Sequence, residues 1–162
     1  MLCRGRSGLI EAKRAVFVQS LGVSENSIKS SQMKKECPFC EIASRDIHSR
    51  VIMRSDHGFA IRDGFALTEG HTLVIPDQHV GSFFELSFEA QTDLVALLGR
   101  VREGLIEDFA VKDVNIGIND GPLAGQTVPH CHIHLIPRRA GDVDDPRGGV
   151  RWIIPDKADY WS

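Results

Sequence analysis

Residues 130 to 136 read His-Cys-His-Ile-His-Leu-Ile. Side chains along an extended strand point alternately to opposite faces, so the three histidines, His130, His132 and His134, share one face. Cys131 and the aliphatic residues share the other face, which is expected to pack on a core. Solvated strand faces usually carry Lys, Glu or Thr, whereas this face concentrates imidazoles that titrate near neutral pH. The stretch therefore predicts a strand with a functional row of histidines, and a plain solvated face is the alternative.

The composition is that of one soluble globular domain. The chain has 162 residues, of which 42% are apolar and 25% charged. The net charge is −3 and there is no long basic run, so nucleic acid is not an expected partner. Apolar stretches are too short for a membrane span, so no membrane partner is expected either. Cys37-Pro-Phe-Cys40 forms a CxxC with no secretory signal before it, which predicts a cytoplasmic protein whose cysteine pair has a metal or redox role.

The chain divides into three parts by its patterning. Residues 1–32 show little sustained periodicity and are predicted to be a dispensable N-terminal extension. Residues 33–142 are well patterned and are predicted to form the folded domain. Residues 143–162 carry several Pro and Gly and are predicted to be a C-terminal tail of loops, with a short strand over residues 150–154.

Hydrophobic periodicity predicts an α+β domain with a mainly antiparallel sheet and one long helix. The long helix is predicted over residues 87–109, because apolar residues from Leu94 to Leu105 recur at helical spacing and Ser87 is a suitable N-cap. A short helical turn is predicted over residues 39–45. Apolar runs bounded by turn residues predict strands at residues 51–53, 58–62, 72–75, 114–118 and 130–136.

A glycine-rich segment, residues 117–125, lies directly before the histidines. Glycines let backbone N–H groups converge on an anion, so the segment is a candidate phosphate cradle. No Gly-Lys-Ser/Thr follows it, so it is not a P-loop, and such segments alone are more often ordinary loops. The residues themselves leave two roles open for the histidines: a nucleophile beside a bound phosphate, or a metal-binding triad as in some zinc hydrolases.

Over roughly residues 36–142 the sequence resembles the histidine triad (HIT) family, whose signature alternates three histidines with apolar residues as residues 130–136 do. Further matches are Cys37-Pro-Phe-Cys40, Glu69-Gly-His-Thr-Leu-Val-Ile-Pro76, His79, Asn119 to Val128 and Pro137 to Asp142. The later motifs are similar to Fhit-type members and bacterial diadenosine tetraphosphate hydrolases, and the CxxC is similar to Hint-type members. The resemblance implies a HIT-like fold, a homodimer and a nucleotide substrate.

The resemblance also implies an enzyme and a role for each motif residue. His132 would attack the α-phosphorus of a dinucleoside polyphosphate or nucleoside phosphoramidate, and water would then release the nucleotide from the nucleotidyl-histidine. His134 would contact the α-phosphate, with His71 supporting the triad and Gln126 near the scissile oxygen. Asp63 matches the position that binds the ribose hydroxyls, although the residues alone fit a turn equally well at Asp63 and His71. The remaining implied substrate contacts are Asn119, Gly125, Thr127 and Val128.

In zinc-carrying relatives the CxxC binds metal together with two histidines. The matching residues here are Cys37, Cys40, His79 and His130. Such a Cys₂His₂ set would be a closed, structural zinc site, and it would leave His132 and His134 for the substrate. Reduced, metal-free cysteines are the alternative, and no organic cofactor is expected.

Two rival functions remain open. One is a nucleotide-binding regulator without catalysis, and the other is a hydrolase with a catalytic metal at the triad. In the tail, Arg147, Arg151 and Trp152 could reach a second nucleotide or phosphate, but covering the sheet edge or a dimer interface is the favoured interpretation.

Overall fold

The structure is a computed structural model that describes residues 37–44 and 50–161. The extension predicted over residues 1–32 lies outside the described residues. Apart from Cys37, the described residues belong to one compact unit that begins at Pro38. The boundaries of the predicted domain and tail stay predictions.

The described residues form an α+β fold, as predicted. Five strands make one antiparallel sheet in the order β1-β2-β3-β5-β4. The strands are β1 Val51–Arg54, β2 Gly58–Arg62, β3 Thr72–Pro76, β4 Val114–Ile118 and β5 Ile133–Pro137. The two α-helices are α1 Pro38–Ser44 and the long α2 Phe88–Phe109.

Helix α2 covers one face of the sheet and builds the core. Its apolar stripe packs against strand residues that point to the same side, and the cluster includes Leu94, Leu97, Leu98, Val101, Leu105, Ala60, Val74, Ile133 and Leu135. The burial of each large aliphatic side chain contributes roughly 1.5–3 kcal/mol. The hydroxyl of Ser87 accepts the N–H of Ala90 at 3.2 Å, so Ser87 is the N-cap that was predicted.

Two predicted elements differ from the structure. The strand predicted over residues 130–136 begins only at Ile133, because the N–H groups of His130 and Cys131 bond to the loop oxygens of Val128 and Val80. The strand predicted over residues 150–154 is wrong, since the chain forms a 3-10 helix at Gly149–Ile153. Its N–H groups bond three residues back, within the tail itself, so they do not pair with the sheet.

The opposite face of the sheet carries the predicted site residues His134 and Asp63. Residues paired across an antiparallel sheet share a face, and β5 aligns His134 with Gly117 and Ile136 with Asn115. On its other side β5 aligns His134 with Leu73. The site therefore lies on the face away from α2. No helix in the described ranges is long and apolar enough to cross a membrane.

Candidate active site

His132 is held by the backbone just before β5. Its Nδ1 lies 2.8 Å from the backbone oxygen of His130. A carbonyl oxygen can only accept, so in the neutral ring Nδ1 carries the proton and Nε2 keeps the lone pair. The residue is 7% exposed, and its ring lies against that of Phe39 with centroids 5.3 Å apart. The local fold thus fixes the tautomer in which Nε2 keeps the lone pair.

His134 is oriented by His71, which precedes β3. Nε2 of His71 lies 3.0 Å from Nδ1 of His134, and the backbone N–H of Leu67 donates to Nδ1 of His71 at 3.2 Å. Because Nδ1 of His71 accepts, its proton sits on Nε2 and is donated to His134. His134 then carries its own proton on Nε2, where it can donate to an anionic oxygen. The rings of His132 and His134 are adjacent, with centroids 5.1 Å apart.

The surroundings of His71 and His134 favour neutral rings. Burial lowers the pKa of His71, although the attraction of Asp63 opposes the shift. Oδ2 of Asp63 lies 3.4 Å from Nδ1 of His71, which is ion-pair distance, yet the desolvation of the ring outweighs that attraction. Burial also lowers the pKa of His134, and the neighbouring His132 and His71 add to the shift. Neutral His71 and His134 agree with the tautomers that their hydrogen bonds require.

Asp63 is a turn residue that also lines the cavity beside His134. Its Oδ1 accepts the backbone N–H of Phe65 at 2.9 Å. It also lines, together with His71 and His134, a cavity of about 430 Å³. These three residues offer possible metal ligands within 4.8 Å of one another. However, Asp63 and His134 face opposite ring nitrogens of His71, so the three residues do not converge on one shared ion.

The side chain of Gln126 holds the glycine segment in place through two hydrogen bonds to backbone. Gly121 and Gly125 have φ of 92° and 89°, a backbone region that favours glycine. Gln126 Oε1 accepts the N–H of Gly121 at 3.0 Å, and its Nε2 donates to the oxygen of Gly81 at 2.7 Å. The side chain predicted to lie near the scissile oxygen is thus bonded to backbone at both ends. It links the glycine segment to the chain that follows β3.

Other predicted substrate residues surround this segment. Asn119 lines the same cavity as His134. Thr127 is exposed and Val128 is half-buried. The oxygen of Val128 accepts the N–H of His130 at 2.8 Å, which joins the segment directly to the histidines.

A second cluster lies where the sequence predicts a metal site. Its ligand atoms lie within 4.8 Å of one another and belong to Cys37, Cys40, His79 and His130. Sγ of Cys40 is 3.1 Å from Nδ1 of His79 and 3.6 Å from Nδ1 of His130. Two thiolates and two imidazoles are a donor set that suits a tetrahedral, closed metal site. The cluster can therefore hold a metal ion.

His130 is prepared for that role by its other nitrogen. Nε2 of His130 lies 2.9 Å from the oxygen of Pro76, so Nε2–H donates and Nδ1 directs its lone pair toward Cys40. Burial lowers the pKa of His130 to about 4, which keeps the ring neutral, as a metal ligand must be. With both nitrogens of His130 directed this way, a catalytic metal held jointly by the three triad histidines does not fit the geometry.

The pattern of these residues agrees with a comparison of whole sequences. A sequence model of the HIT domain matches residues 44–141. The chain belongs to the HIT family. The antiparallel sheet and two helices of this HIT protein match the fold of solved family members.

Individual relatives cover about two thirds of the chain. This HIT protein is 34% identical over 104 residues to the Protein hit of Bacillus subtilis. The aligned residues make up 64% of this chain and 72% of the relative. It is 36% identical over 99 residues to the asymmetrical bis(5′-nucleosyl)-tetraphosphatase of Schizosaccharomyces pombe, over 61% of this chain and 54% of that enzyme. A zinc-bound histidine triad family protein from Mycobacterium smegmatis superposes with a TM-score of 0.60 at 35% identity, over 67% of this chain and 79% of that chain.

Sequence reasoning missed the groups that orient the histidines. Backbone groups of Pro76 and Leu67 fix the tautomers of His130 and His71, and backbone atoms leave no residue-type signal. The ring of Phe39, inside the CxxC, packs on both His130 and His132. The aromatic residue between the two cysteines of the CxxC is the one sequence feature that points to this contact.

Proposed function

We propose that this HIT protein is a nucleotide hydrolase or transferase that cleaves at the α-phosphate of dinucleoside polyphosphates or nucleoside phosphoramidates. The observation that carries the proposal is the 2.8 Å bond from Nδ1 of His132 to the oxygen of His130, which leaves a lone pair on Nε2, the atom that would attack phosphorus. A pure binding protein has no need for that tautomer. The similarity to the tetraphosphatase of Schizosaccharomyces pombe supports a nucleotide substrate.

In the first step, the lone pair on Nε2 of His132 forms a bond to the α-phosphorus. The bond from phosphorus to the leaving oxygen or nitrogen breaks, and the leaving group departs with that electron pair and takes a proton from solvent. In the second step, water attacks phosphorus, loses a proton to solvent and releases the nucleoside monophosphate. The N–P bond breaks and returns the lone pair to His132. Splitting one displacement into two in this way is covalent catalysis.

The surrounding residues would bind the substrate on either side of the phosphorus. His134 would donate from Nε2 to an α-phosphate oxygen, with His71 holding its ring as a positioning residue. Asp63 would accept from the ribose hydroxyls through its carboxylate. The segment tied by Gln126 would supply the remaining polar contacts to the phosphate, from Asn119, Gly125, Thr127 and Val128.

We further propose that zinc is the metal held by Cys37, Cys40, His79 and His130. The donor set favours it, and a zinc-bound relative shares the fold. Bound zinc would supply structural cross-linking, not chemistry at the phosphorus. It would join α1 to the chain just before β5, through Cys40 and His130, and so hold His132 in place.

We also propose a homodimer. Strand β4 is an edge of the sheet, and it exposes Ile116 and Ile118. Such an edge favours pairing with another strand. Light scattering after gel filtration should give twice the chain mass, and Ile116→Lys should shift the protein towards the monomer. A monomeric wild type would contradict the proposal.

The covalent mechanism is tested by offering diadenosine tetraphosphate and adenosine phosphoramidate to the wild type and to His132→Ala. We expect nucleoside monophosphate from the wild type, no turnover by the variant, and a nucleotidyl adduct on His132 by peptide mass spectrometry of wild type quenched in alkaline denaturant, where the P–N bond is stable. The matched control is His57→Ala, which removes an exposed histidine in the turn before β2 and should retain activity. Binding of both compounds without turnover would favour the regulator instead.

A further inference from the structure

The cysteine pair of the CxxC lies at the start of helix α1. Cys37 directly precedes the helix and Cys40 lies in its first turn. Both cysteines are reduced in the structure. The proposed metal site uses them as ligands, but the same spacing is typical of dithiols that pass reversibly to a disulfide. The surroundings of the pair support both roles, one after the other.

The geometry allows the two sulfur atoms to bond. They lie within 4.8 Å of each other, and a disulfide brings such atoms to about 2.05 Å. The residue before a helix and the third helical residue lie side by side, as in a capping box, so the bond can close without unwinding α1. A disulfide sulfur is no longer a thiolate, and the thiolate is the form that binds a metal. Closure of the bond therefore expels a metal ion from the site.

Burial decides which sulfur an oxidant in solvent meets first. Cys40 is half-buried, whereas Cys37 is 5% exposed. Cys131, the remaining cysteine among the described residues, is 1% exposed. A small oxidant therefore reaches Cys40, with Cys37 beside it to complete the disulfide, and does not reach Cys131.

Two contacts connect the cysteine pair to His132. Phe39 lies between the two cysteines, and its ring packs on that of His132 with centroids 5.3 Å apart. Sγ of Cys40 is 3.6 Å from Nδ1 of His130, whose backbone oxygen accepts Nδ1–H of His132 at 2.8 Å. Closing the disulfide shifts the turn that carries Phe39, and loss of the metal releases His130. Both changes loosen the ring that the proposed mechanism uses as the nucleophile.

We propose that Cys37 and Cys40 form a dithiol switch that a hydroperoxide turns off. Oxidation to the disulfide expels the metal ion and slows the chemistry at His132, and a dithiol reductant together with metal restores it. The effect on His132 rests on the proposed function and adds regulation by peroxide to it. The formation of the disulfide and the loss of metal do not depend on that function.

With hydrogen peroxide, the sulfur chemistry consists of two displacements. The thiolate of Cys40 attacks one peroxide oxygen, the O–O bond breaks and hydroxide leaves, so that Cys40 becomes a sulfenic acid. The thiolate of Cys37 then attacks the sulfur of Cys40, which forms the S–S bond, breaks the S–O bond and releases a second hydroxide. The two thiolates lose two electrons and the peroxide gains them. The hydroxides take up protons from solvent, and the metal ion departs with its charge unchanged.

The test treats the full chain, loaded with zinc, with a small excess of hydrogen peroxide and then removes the peroxide with catalase. We expect peptide mapping to find Cys37 joined to Cys40, and a chromogenic chelator to capture zinc as this bond forms. Turnover of adenosine phosphoramidate should fall about tenfold or more, since a misplacement of about 1 Å can cost about 100-fold. A dithiol reductant with zinc should restore turnover. An unchanged thiol pair, a lasting sulfinic acid at Cys40, or a bridge to Cys131 or Cys3 would overturn the switch.

Three comparisons locate the effect. Cys131→Ala is the matched control, because it removes a buried thiol outside the pair, and it should respond to peroxide as the wild type does. Phe39→Leu keeps an apolar side chain but removes the ring contact, so the disulfide should form while kcat differs less between the reduced and oxidised states. Reduced wild type stripped of metal by a chelator should keep more activity than the oxidised protein, because only oxidation also shifts Phe39. Equal activity of these two forms would assign the loss to the metal and overturn the role of Phe39.

The two levels of proposal fail differently. If the wild type is active and peroxide leaves its activity unchanged, the proposed function stands and only the switch falls. If it turns over no nucleotide, the proposed function falls, and the rate at which diethyl pyrocarbonate modifies His132 replaces the activity measurement. Faster modification after oxidation supports the switch, because the residue is only 7% exposed in the structure, and equal rates overturn it. If the protein holds no zinc, disulfide mapping and the modification of His132 decide in the same way.

Discussion

Nε2 of His71 lies 3.0 Å from Nδ1 of His134, and the N–H of Leu67 completes the chain from the other side of the His71 ring. His71 is almost fully buried, and in the proposed mechanism it acts through His134 and not by contact with the phosphate. It decides which nitrogen of His134 carries the outward proton. A histidine that the sequence alone could not separate from a turn residue is therefore placed to act through its neighbour.

We expect His71→Ala to lower kcat by roughly 2- to 10-fold, because an orienting hydrogen bond between neutral rings, of about 0.5–1.5 kcal/mol, to the ring proposed to bind phosphate is lost in the transition state. KM should change less than kcat. His71→Gln can still donate from its amide towards His134 and should recover part of the loss. The measurement is steady-state kinetics on adenosine phosphoramidate. Equal losses in the two variants would indicate a structural role only.

The buried histidines should also make stability depend on pH. Burial lowers the folded-state pKa of His71 and His134 below the ordinary 6.5, whereas the unfolded chain binds these protons near 6.5. Below 6.5 the unfolded state therefore holds more protons, and the free energy of unfolding should fall as the pH falls. Above 6.5 this contribution is complete and stability should be flat.

His71→Phe removes one of these titrations and should flatten the decline. Urea unfolding from about pH 7.5 to 5, above the ordinary carboxyl range, measures it. The comparison is the slope of unfolding free energy against pH in the variant and in the wild type, which cancels the groups they share. Identical slopes in the two proteins would contradict the assigned pKa direction.

Most of the helices and strands could be predicted from the sequence, because these elements follow the periodicity of apolar side chains. The apolar stripe of α2 and the runs of β2 and β4 occur where their patterns placed them. The tail was harder to predict. Apolar residues 150–154 fit a strand locally, but hydrogen bonds from Arg151 and Trp152 to tail carbonyls favour a 3-10 helix, and such tertiary bonds carry no periodicity.

The same division applies within the site. The alternating pattern identified the three histidines but gave no way to tell them apart. They differ in the group that each ring nitrogen contacts, which is a backbone oxygen for His130 and His132 and the ring of His71 for His134. Gln126 illustrates the limit further. Its motif suggested a position near the scissile oxygen, whereas its amide bonds to Gly81 and Gly121 could be read only from the folded loop.

The zinc proposal makes a direct prediction about Cys40. Protein purified without chelators should contain one zinc per chain, and Cys40→Ser should lose it and unfold at a lower temperature, since metal binding to such a set contributes to folding. The control is Cys131→Ala, which removes a buried thiol from the same region but not a ligand, and should retain zinc. Elemental analysis by mass spectrometry measures both. Equal zinc contents in the two variants, or none in the wild type, would contradict the site.

The last prediction concerns Gln126 and separates two roles. Gln126 acts either as a brace, which holds the glycine segment through its two backbone hydrogen bonds, or as a direct contact to the scissile oxygen. In Gln126→Glu the donor that meets the oxygen of Gly81 becomes a carboxylate oxygen, and two acceptors then face each other at the present 2.7 Å. The glycine segment should be released from the chain after β3. We expect faster amide hydrogen exchange at Gly121 and its neighbours. We also expect the KM for the nucleotide to rise about tenfold, the effect of losing one hydrogen bond from the glycine segment to the charged phosphate of the substrate.

The matched control is Gln78→Glu, which places the same charge on an exposed residue after β3 and should leave both exchange and KM unchanged. A brace predicts that exchange and KM move together in Gln126→Glu. A kcat loss with unchanged exchange in the glycine segment would instead indicate that Gln126 leaves Gly81 when substrate binds and contacts the scissile oxygen itself. The two outcomes differ because only the brace acts through the backbone that it holds.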